Sequence, residues 1–77
     1  MNRDDELRRL SQADRMIAGA ETALMAQIAY VDRQRVEGHD TALAERGLRA
    51  FIVNLEALKH RRELIARTIS QLDRGLI

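Results

Sequence analysis

One cluster of turn-forming residues, Gly38-His39-Asp40-Thr41, divides a 77-residue chain that contains no proline. On either side of it Ala, Leu, Arg, Glu and Gln dominate, all good helix formers. Gly38 suits the left-handed residue that ends a helix. Asp40 or Thr41 can then cap the next helix by accepting an orphan backbone N–H. The pattern predicts a helix over 3–37, a turn at 38–40 and a helix over 41–74, each rod about 50 Å long. So short a loop makes the two helices antiparallel neighbours. The expected fold is all-α: one helical-hairpin domain spanning 1–77, coiled-coil-like in its packing.

The second helix carries the clearer periodicity. Leu48, Leu55, Arg62, Ile69 and Leu76 recur every seven residues, with Ala44, Phe51, Leu58, Ile65 and Leu72 in the partner positions. That is a nearly complete heptad seam. In the first helix Leu10, Ile17, Leu24 and Val31 repeat at the same spacing, but their companions Ala13, Ala20, Gln27 and Gln34 are smaller or polar. Leu7 and Ile28 widen this stripe by one column. Small residues there let two backbones approach.

Apolar residues also lie off both seams: Met16, Ala23, Met25 and Tyr30 in the first helix, Leu43, Ile52, Val53 and Leu64 in the second. A two-helix hairpin has one internal interface and cannot cover them. Two hairpins side by side can, as a four-helix bundle. A chain of this length buries only about 60% of its unfolded surface and gains stability by oligomerising. The expected assembly is a homodimer, or a tetramer, with Met16, Met25, Tyr30, Ile52 and Val53 as the contact residues.

Composition removes several classes of function. The absence of Cys excludes a disulfide scaffold and a thiolate zinc site. No apolar run approaches the roughly 20 residues that span a bilayer. Asn2-Arg3-Asp4-Asp5-Glu6 after Met1 is not a signal peptide, so the default location is the cytoplasm. Amphipathic helices bound to a membrane surface carry Trp or Phe opposite a basic face; here the only aromatics are Tyr30 and Phe51, and acids are mixed among the bases. Net charge is +1, without the strong basic excess of a dedicated nucleic-acid binder.

The polar residues offer few sites. His39 beside Asp40 has the makings of an oriented imidazole, but both residues also suit a turn, with the imidazole packed over the helix start and Asp40 as its cap. His60 lies about 30 Å along the second helix from the loop, so one hairpin cannot bring the two histidines to a shared metal. Glu56–His60, at i,i+4, reads as a surface hydrogen bond. Lys59-His60-Arg61-Arg62 is the densest basic run, yet four consecutive helical residues point in different directions. Asp4–Arg8, Asp5–Arg9, Glu45–Arg49 and Glu63–Arg67 are all acid-first i,i+4 pairs of an ordinary solvated helix face. No catalytic, metal-binding or cofactor-binding set emerges. Arg62 differs from the rest because it occupies the seam. Folding the chain back brings it opposite Ile17, flanked by Asp14 and Glu21, which predicts a buried salt bridge to one of them, within the hairpin or across a dimer. Gly19 and Gly47, both within helices, either admit a close neighbour or are tolerated weaknesses.

Ile17, Ala18 and Glu21, then Gly38-His39-Asp40-Thr41, then Ala44, Leu48, Phe51 and Leu55, and finally His60, Arg61 and Ile65 form a pattern over about two-thirds of the chain. It resembles short helical-hairpin proteins of rhizobia and related alphaproteobacteria. Gly47 stands where that pattern has an aliphatic residue, and the basic run at Lys59 departs from it. The resemblance implies a hairpin fold and a bacterial, cytoplasmic origin; it brings no biochemical activity with it.

The functional expectation is a small non-enzymatic interaction or structural module acting as a homo-oligomeric bundle, its apolar groove receiving a partner helix. The alternative is a small nucleic-acid-associated regulator using Arg46, Arg49, Lys59, Arg61 and Arg67.

Overall fold

Backbone polar groups at helix ends need partners, and the chain supplies them at each end by a side chain or a glycine. The computed structural model describes residues 2–77, which form α1 (Arg3–Val36) and α2 (Ala42–Asp73), packed against each other. Asn2 opens α1: its backbone is extended and its side-chain oxygen accepts from the Asp4 N–H at 2.8 Å. Asp4, Asp5 and Glu6 fill the first turn and complement the positive end of the helix dipole.

α1 stops at a Schellman motif. Gly38 takes φ +78°, its N–H donates to Arg35 O at 3.1 Å, and the His39 N–H donates to Gln34 O at 2.9 Å. α2 stops the same way at Gly75, with φ +71° and bonds from Gly75 N–H to Leu72 O and from Leu76 N–H to Gln71 O. Both helices end one residue sooner than the sequence predicts, since Glu37 and Arg74 are half-helical caps. α2 also begins one residue later. Thr41 occupies the cap position but makes no side-chain capping bond. Asp40 does the capping: its Oδ1 accepts from the Ala42 N–H at 2.9 Å.

The heptad columns meet along the length of the hairpin. Ala13, Val31, Leu55 and Ile69 are buried, with Val31 only 3% exposed. Leu10, Ile17, Leu24, Leu48, Leu58, Ile65 and Leu72 are half-buried. Leu76, placed in the seam by its spacing, lies beyond the end of α2 and is exposed. No described side chain is fully enclosed, as expected where each helix has one neighbour. The rod measures 58 × 15 × 13 Å and its Cα radius of gyration is 17.5 Å. A compact domain of this length has about 11–12 Å. No described helix is long and apolar enough to cross a membrane.

Near the loop the seam turns polar. Gln27 reaches across and its Nε2 donates to the Ala44 carbonyl at 2.9 Å. Gly47 makes the room: a Cβ there would sit 3.2 Å from that same nitrogen. A Cβ on Gly19 would meet nothing within 4 Å, so Gly19 admits no neighbour within the hairpin.

Two sets of substitutions test this reading by urea unfolding followed by circular dichroism. Asp40→Ala costs about 1 kcal/mol and Gly38→Ala about 1–2 kcal/mol, while Thr41→Ala changes stability by less than about 0.5 kcal/mol. Gly47→Ala falls short of the gain of about 1 kcal/mol that an open mid-helix Gly→Ala gives. Adding Gln27→Ala restores that gain, and strict additivity of the two would contradict the close approach.

Candidate interaction surface

Two faces of the hairpin run the length of the rod, one on each side of the seam, and they differ in chemistry. The first is braced by ion pairs between the helices. Arg3 Nε meets Asp73 Oδ1 at 2.6 Å near the open end, Arg62 Nε donates to Asp14 Oδ1 farther in, and Arg35 Nη2 meets Glu45 Oε1 at 2.7 Å near the loop. The hydrogen bond from Arg3 to Asp73, then the carboxylate's charge, raise the Arg3 pKa above its ordinary value. Arg3 is thus a cation throughout any working pH range, folded or unfolded. Between the second and third pairs runs a groove lined by Ile28, Val31, Asp32, Arg35, Glu45, Leu48, Arg49 and Ile52, apolar at its floor and charged at its rim.

The second face is almost uncharged. On α1 it is made by Gln12, Ala13, Met16, Gly19, Ala20, Ala23, Ala26, Gln27 and Tyr30. On α2 it runs from Leu43 and Ala44 through Gly47, Ala50, Phe51, Asn54, Ala57 and Leu58 to Leu64 and Ile65. The one charged side chain within these limits is Arg61, at the edge of a cleft it shares with Arg9, Gln12, Ala13, Met16 and Leu58. Both aromatics of the chain stand here. Tyr30 borders a cleft with Gln27, Gln34, Asp40, Leu43 and Ala44, and Phe51 borders one with Gly47, Ala50 and Asn54. Phe51 belongs to the seam by its spacing yet is 36% exposed.

The five residues expected to share an interface therefore do not form one patch. Met16 and Tyr30 lie on the uncharged face, and Ile52 lies in the groove of the ion-paired face. Met25 and Val53, 71% and 65% exposed, project away from the hairpin. A list of off-seam apolar residues does not record on which side of the seam each falls; a heptad assignment of both flanking columns would have separated them.

Of the two carboxylates expected to meet Arg62, Asp14 does so, but the pair is not buried: the two side chains are 41% and 51% exposed. Arg62 sits where the seam opens to solvent, so its guanidinium reaches the flanking column. Glu21 takes no part in an ion pair among the described residues. The four acid-first i,i+4 pairs are not formed. Arg8 turns to Asp5 and Arg9 to Glu6, both at i,i+3, and Glu45 is drawn across to Arg35. Glu63–Arg67 makes no contact among the described ion pairs.

His39 is exposed rather than packed over the start of α2, with its Nδ1 2.6 Å from Gln34 Oε1 and not paired to Asp40. His60 is exposed, and no hydrogen bond joins it to Glu56 among the described residues. No group of three or more metal-ligating side chains occurs among the described residues. Of the five cations of the nucleic-acid alternative, Arg49 borders the ion-paired groove and Arg61 the opposite cleft; Arg46, Lys59 and Arg67 are exposed.

Glu6 has no motif to mark it in the sequence, yet among the described residues it is the one buried charged side chain, 4% exposed. It lies seven residues before Ala13, so the column of small and polar residues on α1 begins with it. Arg9 Nη1, 3.1 Å away, satisfies its carboxylate, and its place in the first turn lets the helix dipole stabilise the charge.

A half-exposed ion pair contributes at most about 1 kcal/mol, whereas an apolar side chain covering the same seam position gains about 1–2 kcal/mol. Arg62→Leu accordingly raises the midpoint of thermal unfolding followed by circular dichroism, and Asp14→Ala lowers it only slightly. A large loss from Arg62→Leu would show that the pair holds the hairpin together. No protein-family model matches the chain, and no curated protein or solved structure does so either.

Proposed function

We propose that this chain is a small non-enzymatic protein-interaction and structural module that works as a homo-oligomeric helical bundle. One observation carries the reading. The hairpin exposes 5708 Å², whereas a compact monomer of 8.8 kDa exposes about 4,800 Å². Large apolar side chains contribute to it: Met16, Met25, Ile28, Tyr30, Leu43, Val53 and Leu64 are all exposed. A thin rod cannot fold onto itself to hide them, and association is the physical remedy. The proposed work of the molecule is binding, with no cofactor. The open clefts and the scattered histidines and acids favour this over catalysis, which needs acid, base and nucleophile converging on one point.

Light scattering on a sizing column, over a hundredfold dilution series, tests it. The expected result is a mass of two or more chains at the concentrated end. One-chain mass at every concentration, with full helicity retained, would contradict it.

A further inference from the structure

The two faces of the hairpin are not equivalent as places for a second copy. We infer that two hairpins pair through the uncharged face, burying Met16, Tyr30, Phe51 and Leu58 between them and leaving the ion-paired face outward. The inference rests on the homo-oligomer proposed above and specifies its contact surface.

Charge decides between the faces. Pairing through the ion-paired face would bury Asp14, Arg35, Glu45 and Arg62, whose side chains now have solvent for their remaining hydrogen bonds. Taking such groups out of water costs several kcal/mol per ion unless every donor and acceptor is satisfied again. The opposite face asks for less of this exchange. Its charges stand toward its ends, Arg9 and Arg61 at one cleft and Asp40 at the loop, and none of them bridges the helices among the described ion pairs; long Arg side chains can keep their heads in water while their stems cover apolar surface. Depletion of charge and enrichment of aromatics and Met are what mark the core of an interface. This face holds Tyr30 and Phe51, the only aromatics of the chain, and Met16.

Area points to the same occupant. The hairpin exposes about 900 Å² more than a compact chain of its mass, and a stable dimer buries about 800 Å² on each partner. One face of a rod 58 Å long is therefore the right size for a second copy. The alanines and glycines between the larger residues let two such faces approach. Phe51, too large for the shallow seam opposite the small residues of α1, supplies an anchor for the partner.

The test uses the full chain, with light scattering for mass and circular dichroism for helicity. Met16→Glu and Ala50→Glu place a charge on the uncharged face at exposed positions, and Ile52→Glu places one on the ion-paired face. The expected result is a two-chain wild type, association weakened about 100-fold or more by each of the first two variants, and a two-chain Ile52→Glu. Should either of the first two lose its helicity, acrylamide quenching of Tyr30, the single tyrosine, is read on the wild type. Tyr30 is expected to be shielded at high concentration and open on dilution; equal quenching at both ends of the series would overturn the inference. A two-chain wild type that Ile52→Glu dissociates and Met16→Glu and Ala50→Glu do not would overturn the choice of face while leaving the homo-oligomer intact. A four-chain wild type would overturn it too, since both faces would then be covered. A monomeric wild type would remove the homo-oligomer itself.

Discussion

Two helices share a single line of contact, and everything else in this molecule answers to that constraint. A helix in a larger bundle turns two or three stripes toward neighbours; here each turns one. The seam can therefore bury only the innermost columns, and even these are mostly half-covered, with Ala13, Val31, Leu55 and Ile69 as the buried apolar positions. The hydrophobic effect acts in proportion to apolar area removed from water. A hairpin that leaves so much of that area exposed has a driving force for folding and a residual one for association.

The asymmetry between helices shapes the seam. α2 offers large residues, Phe51, Leu58, Ile65 and Leu72, in the column where α1 offers Ala13, Ala20 and Gln27. Small residues on one side let the rods approach, but they give a side chain as large as Phe51 little to cover it, and it spills onto the uncharged face. Near the loop the mismatch is settled differently. Gly47 clears a path for Gln27, whose amide bonds to the Ala44 carbonyl. That bond works only in one register, since a slip by one turn would bring Gln27 against a residue with a Cβ.

The ion pairs have a similar role. Arg3–Asp73, Asp14–Arg62 and Arg35–Glu45 are exposed, so each adds little stability. Together they mark positions along one side of the rod that only the antiparallel register satisfies. They also confine the charge that bridges the helices to that side. The opposite side keeps Arg9, Arg61 and Asp40 toward its ends and no charge along its middle, and from this division the two faces acquire different capacities.

The hairpin was legible in the sequence because its signals are local. Helix propensity, the Gly38 terminator, the Asp40 cap and the seven-residue spacing act over a turn or two, where the backbone's hydrogen-bonding demand leaves few alternatives. Even Gly75, unremarked in the sequence, repeats a device already recognised at Gly38. That Arg62 faces the neighbourhood of Asp14 and Glu21 was legible for the same reason, because an antiparallel fold at a known turn fixes which stretches meet; the choice of Asp14 was not. What a list of off-seam apolar residues does not express is sidedness. Met16, Tyr30, Ile52, Met25 and Val53 are equally apolar and equally off the seam, yet the three-dimensional arrangement sends them to two faces and the outer flanks. Nor did spacing foretell that Glu45 would leave Arg49 for Arg35, or that Arg62 would stand half in solvent. Those outcomes turn on the rotation of each helix about its axis and on how far the small residues let the pair close, which packing between the rods decides. The sequence by itself determined two antiparallel helices and their ends, because those follow from bonds within four residues. Only the tertiary structure decided which side of the hairpin is charged and which is bare, because that depends on contacts between residues as far apart in the chain as Arg3 and Asp73.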